Sequence, residues 1–429
     1  MTFVAKRVQI ANLKIVYLNP IGGLGGAESL LLDLLASVRE ARPEWSLVLI
    51  APEAGVLSDR AAALGVEVRV LPLPDGVARL GEAGTRQGLG RLALVWRMVQ
   101  VLPAILDYRW HLKRMLRLLQ PDFVHSNGLK MHLLSVWSRP RHTKIIWHIH
   151  DFLSSRPIMA HLLRRISSRC FAAVAVSEHL RRDLNMVCPA LPVRIVRNAV
   201  DLDEFRPDGP WCDLDSLSGL PPARNVVRIG LVATMARWKG QKLFLEALAK
   251  VRCEVPIRAY IIGGAIYKAN QSQWCIEDLR SLARGLGMES KVGFTGFVAR
   301  PAEAYRSLDV VVHASTEAEP FGLVIAEAMS CGKAVIASSL GGPTEFVQHG
   351  VNGLLVQAGD AESLARKIEL LVGDAEYRSK LGSEARVAAL RLFDRRRLAI
   401  EVIPVYESAR AGEELGTATL RAGLMGRTD

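Results

Sequence analysis

The sequence contains few cysteines, and their spacing excludes the common metal and disulfide frameworks. The six cysteines lie at positions 170, 188, 212, 253, 275 and 331, and no two of them form a Cys-x-x-Cys pair. Structural zinc sites use such pairs, and disulfide-stabilised domains use dense cysteines. The sequence therefore favours a chain that folds around a hydrophobic core in a reducing compartment, the cytoplasm.

Long apolar segments are also lacking. No stretch approaches the roughly 18 consecutive apolar residues of a membrane-spanning helix, so none is predicted. The first residues, MTFVAKRVQIANLK, have neither the apolar region nor the small-residue cleavage site of a signal peptide. Both observations agree with a cytoplasmic location.

The chain has a large apolar fraction and a basic first half. With 429 residues, 50% of them apolar, two domains of about 200 residues are expected. Residues 1–205 carry 27 Lys and Arg against 17 Asp and Glu, which is most of the net charge of +12. This asymmetry predicts a polyanionic partner: anionic lipid, nucleic acid or a phosphorylated acceptor. Nucleic acid is disfavoured because no reader motif accompanies the basic residues.

Apolar strands alternate with amphipathic helices along most of the chain, and this order predicts an α/β fold. The series of strands and helices occurs twice, so we expect two Rossmann-like doubly wound domains that face each other across a cleft. The predicted segments are a first domain at 1–207, a Gly, Pro and Ser-rich linker at 208–225, a second domain at 226–392, a C-terminal helix at 393–410, and a disordered tail at 411–429.

The first strand, LKIVYLNP, leads into the glycine loop IGGLGGAE and then into a helix. This unit brings backbone N–H groups close to a phosphate or sugar at a helix N-terminus. A nicotinamide-binding fingerprint is the alternative, but Gly23 and Gly25 are followed by Glu28 where that fingerprint needs a third glycine.

The stretch RLALVWRMVQVLPAILDYRWHLKRMLRLLQ mixes Arg and Lys with Trp, Leu and Met at helical spacing. Trp96 and Trp110 belong to it, and Pro103 interrupts it. Two interpretations are equally consistent with the pattern: a helix that lies on an anionic membrane surface, and a long core helix with a solvated basic face.

Polar residues follow the strands DFVHSNG and TKIIWHIHD, where ligands of parallel sheets bind. Strand alternation places His148 and His150 on one face, beside Asp151. A metal site is one interpretation, but no third ligand stands at a recognisable spacing, and a single histidine that hydrogen-bonds a substrate is more economical. The pair Asp201 and Asp203 also resembles a metal motif, but it lies at the domain boundary.

In the second domain, TEAEPFGLVIAEAMSCG lies between two buried strands and contains two carboxylates, Glu319 and Glu327. Glu319 is predicted on a loop and Glu327 on the following helix. The N-terminal end of that helix favours phosphate, so the two acids are expected to reach different parts of one ligand. The simple alternative is a solvated helix residue and a loop cap.

Taken together, the ordered motifs resemble the family 4 retaining glycosyltransferases of the GT-B fold. The matching segments are GGAE, WHIHD, SEHLRRDL, RNAVDLDEF, the loop before KG, EPFGLVIAEAMSCGKAVIAS and GGPTEFVQHGVNGLLV, spread from about residue 14 to about residue 395. The resemblance implies transfer of a sugar, with retention and without a metal or other cofactor, from a nucleotide-sugar donor to a glycan or lipid-linked acceptor. Cell-surface polysaccharide or glycolipid synthesis at the inner face of the plasma membrane is the implied setting. The resemblance also implies that the C-terminal helix at 393–410 returns to the first domain.

The resemblance also implies roles for particular residues. Glu327 would bind the ribose and Glu319 the donor sugar, while Lys239 would neutralise the departing diphosphate and so replace a metal. His150 would lie near the donor sugar and the acceptor, which makes His150, Lys239 and Glu319 the predicted catalytic residues. The remaining predicted donor-binding residues are Gly25, Gly26, Arg237, Gly264, Phe297, Val298, Phe321, Gly322 and Leu323.

One position departs from the family pattern. In VATMARWKG, Thr234 stands where the family usually has an arginine that contacts the diphosphate. Arg237, three residues further on, is the candidate replacement, because a long side chain on a loop is adaptable. Two alternatives to a transferase remain: a sugar-nucleotide epimerase on the same architecture, and a non-catalytic nucleotide-sugar sensor or scaffold, which the missing arginine leaves open.

Overall fold

A computed structural model describes residues 12–78, 91–264 and 273–411, with the backbone alone at 91–99 and 411. Two parallel sheets form in this part of the chain. The first sheet has seven strands in the order β3-β2-β1-β4-β5-β6-β7, and the second has six in the order β10-β9-β8-β11-β12-β13. The strand order reverses next to β1 and next to β8, as in doubly wound folds, and the predicted fold class is confirmed.

The strands of the first sheet are β1 (Lys14–Leu18), β2 (Ser46–Ala51), β3 (Glu67–Val70), β4 (Phe123–Asn127), β5 (Lys144–Ile149), β6 (Ala172–Ala175) and β7 (Val193–Ile195). The helices around it are α1 (Gly26–Ala41), α2 (Val56–Ala63), α3 (Asp75–Ala78), α4 (Arg91–Leu119), α5 (Leu129–Ser138), α6 (Pro157–Ile166) and α7 (Glu178–Val187). The central strands are buried on both faces, which explains their continuous apolar sequences.

After the short helix α8 (Leu214–Ser218), the second sheet contains β8 (Val227–Val232), β9 (Ile257–Ile262), β10 (Val292–Gly296), β11 (Val310–His313), β12 (Ala334–Ser338) and β13 (Leu354–Val356). Its helices are α9 (Gln241–Lys250), α10 (Ile276–Gly285), α11 (Pro301–Arg306), α12 (Leu323–Ser330), α13 (Ala361–Gly373) and α14 (Ala375–Leu392). The helix α15 (Arg396–Ala411) ends the described chain.

The segment predicted as a linker, 208–225, contains the short helix α8. Asp213 caps α8 by accepting a hydrogen bond from the backbone N–H of Ser216. Asp215 is buried and accepts hydrogen bonds from the Tyr260 hydroxyl (2.7 Å) and the Arg228 guanidinium (3.4 Å). A buried carboxylate needs such partners, so this part of the segment is packed onto the second sheet.

The last helix packs against the first domain. α15 lies on α1, and its Tyr406 is fully buried between Tyr17 and His125. The Tyr406 hydroxyl is 2.7 Å from His125 Nδ1 and 3.2 Å from the Tyr17 hydroxyl. These polar contacts specify one docking position for the helix, because each buried polar group needs its partner. The predicted tail at 411–429 lies outside the described residues except for its first residue.

Candidate functional site

The glycine loop between β1 and α1 in the first domain lies next to the start of α12 in the second. Gly26, the first residue of α1, approaches Leu323, the first residue of α12: a Cβ added at Gly26 would lie 3.9 Å from Leu323 Cδ2. The glycine loop and the start of α12 therefore meet across the interface between the domains. The residues predicted to bind the donor lie on both sides of this interface between the domains.

Lys239 and Glu319 form a close ion pair on the second-domain side. The Lys239 ammonium donates to both carboxylate oxygens of Glu319, at 2.9 and 2.7 Å. Two further groups, His313 Nε2 and the Ser315 hydroxyl, lie 3.2 Å from one of these oxygens. The structure thus joins two predicted catalytic residues that are distant in sequence, and it adds two polar residues from the end of β11.

The charge of Glu319 is stabilised by its neighbours. Burial opposes ionisation of the carboxyl, but the Lys239 ammonium and the hydrogen bond from His313 outweigh it and hold the pKa of Glu319 well below its usual value. The carboxylate is therefore ionised over the whole physiological pH range and acts as a hydrogen-bond acceptor.

Glycines position both members of this pair. Gly240 follows Lys239 with φ +83°, and a Cβ there would lie 1.9 Å from the Ala314 carbonyl oxygen, so only glycine fits. Gly322 precedes α12 with φ +94°, a left-handed conformation that turns the chain into the helix. The amides of Phe321, Gly322 and Leu323 lie at this helix start, where N–H groups lack partners within the helix.

Glu327 lies one helical turn further along α12, apart from the ion pair. One of its oxygens accepts a hydrogen bond of 2.7 Å from the Tyr305 hydroxyl on α11. Burial raises the pKa of Glu327 to about 7, although the Tyr305 hydrogen bond acts in the opposite direction. The two carboxylates of the predicted pair therefore differ: one is permanently charged, and the other titrates near neutral pH.

Arg237 lies two residues before Lys239, in a short 3-10 helix. Its guanidinium carbon is 4.0 Å from the centre of the Trp274 ring, a stacked cation–π arrangement. The Thr234 carbonyl accepts a hydrogen bond of 2.7 Å from the Gln241 side chain, which fixes this loop next to α9. Thr234, which stands where the family usually has an arginine, is thus held in place through its backbone carbonyl.

The other predicted donor-binding residues of the second domain lie at the carboxyl ends of β9 and β10. Gly264 follows β9, and a Cβ added there would lie 3.6 Å from Phe297 Cβ. Phe297 is 68% exposed, and Val298 beside it is partly buried. An exposed aromatic ring next to a glycine at a sheet edge is a flat apolar surface, suited to stacking of a base.

On the first-domain side, the glycine loop is fixed by Glu28. This buried carboxylate accepts a hydrogen bond of 3.1 Å from the Gly25 backbone N–H and one of 3.2 Å from the Asn19 side chain. His150 lies at the end of β5, with Nε2 3.4 Å from the Asn127 side-chain oxygen. Burial lowers the pKa of His150 to about 4, so its ring is neutral at physiological pH.

His150 belongs to a cluster of three histidine rings in contact. The rings of His150 and His148 are 4.3 Å apart, and those of His148 and His125 are 5.2 Å apart. Across the described residues, no group of three or more His, Cys, Asp or Glu side chains is arranged to hold a metal ion. His148 is buried among rings and backbone, which favours the hydrogen-bonding interpretation of His150.

In the Asp-x-Asp pair at positions 201 and 203, Asp201 accepts hydrogen bonds from the backbone. One Asp201 oxygen accepts from the backbone N–H groups of Asp203 (3.0 Å) and Glu204 (3.3 Å), and the other pairs with Arg395 near the start of α15. Such local hydrogen bonds are typical of a turn. Asp201 therefore links the end of the first domain to the last helix.

A further carboxylate joins the two domains directly. Glu345, from the segment GGPTE, accepts hydrogen bonds from the backbone N–H of His179 (3.1 Å) and from the Arg197 guanidinium (3.3 Å). Its first oxygen also lies 3.0 Å from His179 Nδ1. Only 10% of the Glu345 side chain is exposed, so this ion pair is part of the domain interface.

Sequence reasoning missed His313, Ser315, Tyr305 and Asn19 as parts of the site. The available signal was their position, because His313, Ser315 and Asn19 are polar residues at the carboxyl ends of otherwise apolar strands. Tyr305 gave no such signal, since a tyrosine on an amphipathic helix is usually a packing residue.

Known proteins match both halves of the chain. Residues 222–388 match a family model described as "Glycosyl transferases group 1", and residues 55–204 match one described as "Glycosyltransferase Family 4". D-inositol 3-phosphate glycosyltransferase from Xylanimonas cellulosilytica is 33% identical over 225 residues, 51% of this chain and 51% of that protein. GDP-mannose-dependent alpha-(1-6)-phosphatidylinositol monomannoside mannosyltransferase from Mycobacterium tuberculosis is 31% identical over 244 residues, 54% of this chain and 60% of that protein.

The matches thus span only about half the length of these curated relatives. Among solved structures, the Anabaena protein Alr3699/HepE in complex with UDP and glucose superimposes with a TM-score of 0.73 and 24% identity, over 92% of this chain and 100% of that one. This likeness shows the shared two-domain fold. Because the two family models cover one domain each, in the expected order, the chain belongs to the family 4 glycosyltransferases of the GT-B fold.

Proposed function

We propose that this protein transfers a sugar from a nucleotide-sugar donor to a glycan or lipid-linked acceptor with retention of anomeric configuration. The observation that carries the proposal is the Lys239–Glu319 pair beside the N-terminal end of α12, opposite the glycine loop of the first domain. It combines a fixed cation, a fixed hydrogen-bond acceptor and free backbone N–H groups, which are the groups that a sugar diphosphate requires.

The donor would lie across the start of α12. Glu327 accepts hydrogen bonds from the ribose hydroxyls, and the flat surface at Gly264, Phe297 and Val298 takes the base. The amides of Phe321 to Leu323, together with Gly25 and Gly26, surround the diphosphate. Glu319 accepts from hydroxyls of the donor sugar. UDP and glucose are bound by the structural relative HepE, which supports a nucleotide and a hexose as ligands.

Transfer would proceed on one face of the sugar. The acceptor oxygen forms a bond to the anomeric carbon while the bond from that carbon to the diphosphate oxygen breaks. The acceptor's proton passes to the departing diphosphate oxygen, and the products are the glycosylated acceptor and a nucleoside diphosphate. Lys239 stabilises the charge that develops on the diphosphate, with Arg237 as a second cation beside it, so we propose a reaction that requires no metal.

The test uses purified protein and a panel of UDP-, GDP- and ADP-sugars. We expect one donor to raise the unfolding temperature and to be slowly hydrolysed, with unchanged rates in EDTA. With an accepted sugar acceptor, NMR of the product should show the anomeric configuration of the donor. No response to any donor would contradict the proposal, whereas binding without turnover would favour a nucleotide-sugar sensor, and epimerisation of a donor without acceptor would favour an epimerase.

We also propose that the first domain lies on an anionic membrane surface at the cytoplasmic face, where a lipid-linked acceptor is available. Over the described residues, every helix is too short or too polar to cross a membrane. However, α4 exposes Trp110 (57%) and Leu118 (79%), and the Arg114 guanidinium lies 5.7 Å from the Trp110 ring. Apolar groups beside cations suit the boundary between head groups and acyl chains.

An apolar groove of about 400 Å³ accompanies this helix face, lined by Arg69, Leu71, His111, Arg114, Met115, Leu118 and Leu119. The name of the mannosyltransferase relative includes phosphatidylinositol monomannoside, a lipid, which agrees with a lipid-bearing substrate. Flotation with anionic liposomes tests the proposal. We expect binding at low salt that is lost in Trp110→Ser/Leu118→Ser but kept in Leu390→Ser, an exposed leucine of the second domain; protein that stays at the bottom at low salt contradicts it.

A further inference from the structure

A chain of side-chain hydrogen bonds runs along the carboxyl edge of the first sheet and ends at His150. It contains Asn19 after β1 and Asn127 at the end of β4, which are 1% and 2% exposed. The Asn19 side-chain nitrogen donates to the Ile21 carbonyl (2.8 Å) and to Glu28 (3.2 Å). The Asn127 nitrogen is 3.5 Å from the Asn19 oxygen, and the Asn127 oxygen is 3.4 Å from His150 Nε2.

The chemistry at one end of this chain determines the direction of every hydrogen bond in it. A backbone carbonyl can only accept, so the Asn19 NH₂ group must face Ile21 and its oxygen must face Asn127. Glu28 reinforces this orientation, because one of its oxygens already accepts from the Gly25 N–H and the other faces the same Asn19 nitrogen. Asn127 is then obliged to donate to Asn19 and to present its oxygen to His150.

We propose that Asn127, oriented by Asn19, is a positioning residue that holds the proton of His150 on Nε2 and leaves Nδ1 as a hydrogen-bond acceptor for a substrate hydroxyl. A neutral imidazole carries one proton, and the nitrogen that faces an acceptor keeps it. Within the described residues, the hydrogen bond of the His150 ring is the one at Nε2, and Nδ1 has none. The His150 ring packs against the His148 ring, with 4.3 Å between their centres, and this contact restricts its rotation and keeps Nε2 facing Asn127.

This inference rests on the proposed function in one respect, the identity of the group that Nδ1 binds. That group is a sugar hydroxyl of the donor or of the acceptor substrate. This series of hydrogen bonds also connects the two parts of the site that come from the first domain. Glu28 holds the Gly25 N–H at one end, and Asn127 sets the His150 proton at the other. The glycine loop and the histidine are therefore positioned by one network.

Nitrogen NMR of the full-length protein labelled with ¹⁵N-histidine tests the proposal without any substrate. Spectra at about pH 8.5 have neutral imidazoles, and loss of signals in His150→Gln assigns the His150 ring. We expect the wild type to show a protonated Nε2 and an unprotonated Nδ1. A wild-type ring with its proton on Nδ1, or with both tautomers populated, overturns the proposal.

The variant Asn19→Ala leaves the residue that touches His150 unchanged but removes what orients it. We expect its Asn127 amide to adopt both orientations, so that the Nδ1 and Nε2 signals move toward each other. Adding Asn127→Asp to that variant should restore the wild-type pattern, because both carboxylate oxygens only accept. An Asn19→Ala spectrum identical to the wild type would overturn the orienting role of Asn19.

If Asn19→Ala does not fold, Asn127→Ala provides the same comparison, since it removes the acceptor itself and should give a mixture of tautomers. An unchanged single tautomer in that variant also overturns the proposal. Because the spectra are independent of catalysis, absence of sugar transfer with the expected tautomers would refute the proposed function alone, and transfer with the wrong tautomer would refute this inference alone.

Discussion

The ammonium of Lys239 lies 2.7 Å from one carboxylate oxygen of Glu319, although 80 residues separate them in the chain. Each side chain is mostly buried, with 16% and 10% of its surface exposed. In the absence of donor, each ion therefore neutralises the other in a site of low polarity. A diphosphate that enters the site competes with Glu319 for Lys239, while the sugar's hydroxyl groups offer Glu319 new donors.

The first prediction concerns this pair. Replacement of Lys239 by Ala should lower donor turnover by about 100-fold or more, the usual cost of losing a group that stabilises developing charge. Glu319 should then have a higher pKa, because the main group favouring its ionisation is gone. Rates of donor hydrolysis measure the loss. The matched control is Lys242→Ala, an exposed lysine at the start of α9 that pairs with Glu246, and a similar loss there would contradict the prediction.

The second prediction is a pH dependence of donor binding. Because the pKa of Glu327 is about 7, its carboxylate is charged above that pH and protonated below it. Affinity for a nucleoside diphosphate should therefore rise as the pH increases through about 7. Tyr305→Phe removes the hydrogen bond that lowers this pKa, so the midpoint should move to higher pH.

Titration calorimetry with UDP or GDP from pH 6 to pH 8.5 measures this effect. Glu327→Gln provides the control, because an amide does not titrate and only the ionisation of the nucleotide itself remains. If the variant shows the same pH dependence as the wild type, Glu327 is not the titrating group.

The third prediction concerns domain closure. Glu345→Ala removes the hydrogen bonds to His179 and the ion pair with Arg197, each contributing about 1 kcal/mol or less for partly exposed partners. We expect a larger share of open molecules and thus a larger radius of gyration in small-angle X-ray scattering. Glu384→Ala makes the same charge change on the exposed face of α14, and it should leave the radius unchanged. Equal scattering of all three proteins would show that Glu345 does not hold the domains together.

The fourth prediction concerns the docking of α15. Tyr406→Phe removes a hydroxyl that contacts His125 and Tyr17, and it leaves His125 with two unpartnered ring nitrogens, since its Nε2 is already buried without a partner in the described structure. An unsatisfied buried polar group costs about 1–3 kcal/mol. Denaturant unfolding should show a loss of that size, whereas Tyr377→Phe, on the partly exposed surface of α14, should lose little. Equal stability of the Tyr406 variant and the wild type would contradict this.

Much of the fold was predictable because hydrophobic period and loop chemistry are local properties. The alternation of buried strands with helices indicated two doubly wound domains, and the strand ends indicated where polar residues such as His150 would lie. Within the predicted linker, the sequence did not indicate the short helix α8. Gly, Pro and Ser are typical of loops, but the burial of Asp215 depends on Tyr260, whose position the sequence around Asp215 does not contain.

The spacing of the two glutamates alone did not decide between a pair of ligand-binding carboxylates and a solvated helix residue with a loop cap. Their separation of eight positions does not reveal which one has a cation beside it. The structure pairs Glu319 with Lys239 and Glu327 with Tyr305, and from these contacts follow the opposite pKa shifts of the two carboxyls. The chemical difference between the two residues is thus a property of their neighbours.

The sequence by itself determined the order of the elements, the glycine loops and the family, because these depend on residues that are close together in the chain. Only the tertiary structure decided which side chains meet: Lys239 with Glu319, Glu345 with His179, and His150 with Asn127. Hydrogen bonds and ion pairs act over about 3 Å. Residues that are distant in sequence come within that distance only because the two sheets and their helices pack together.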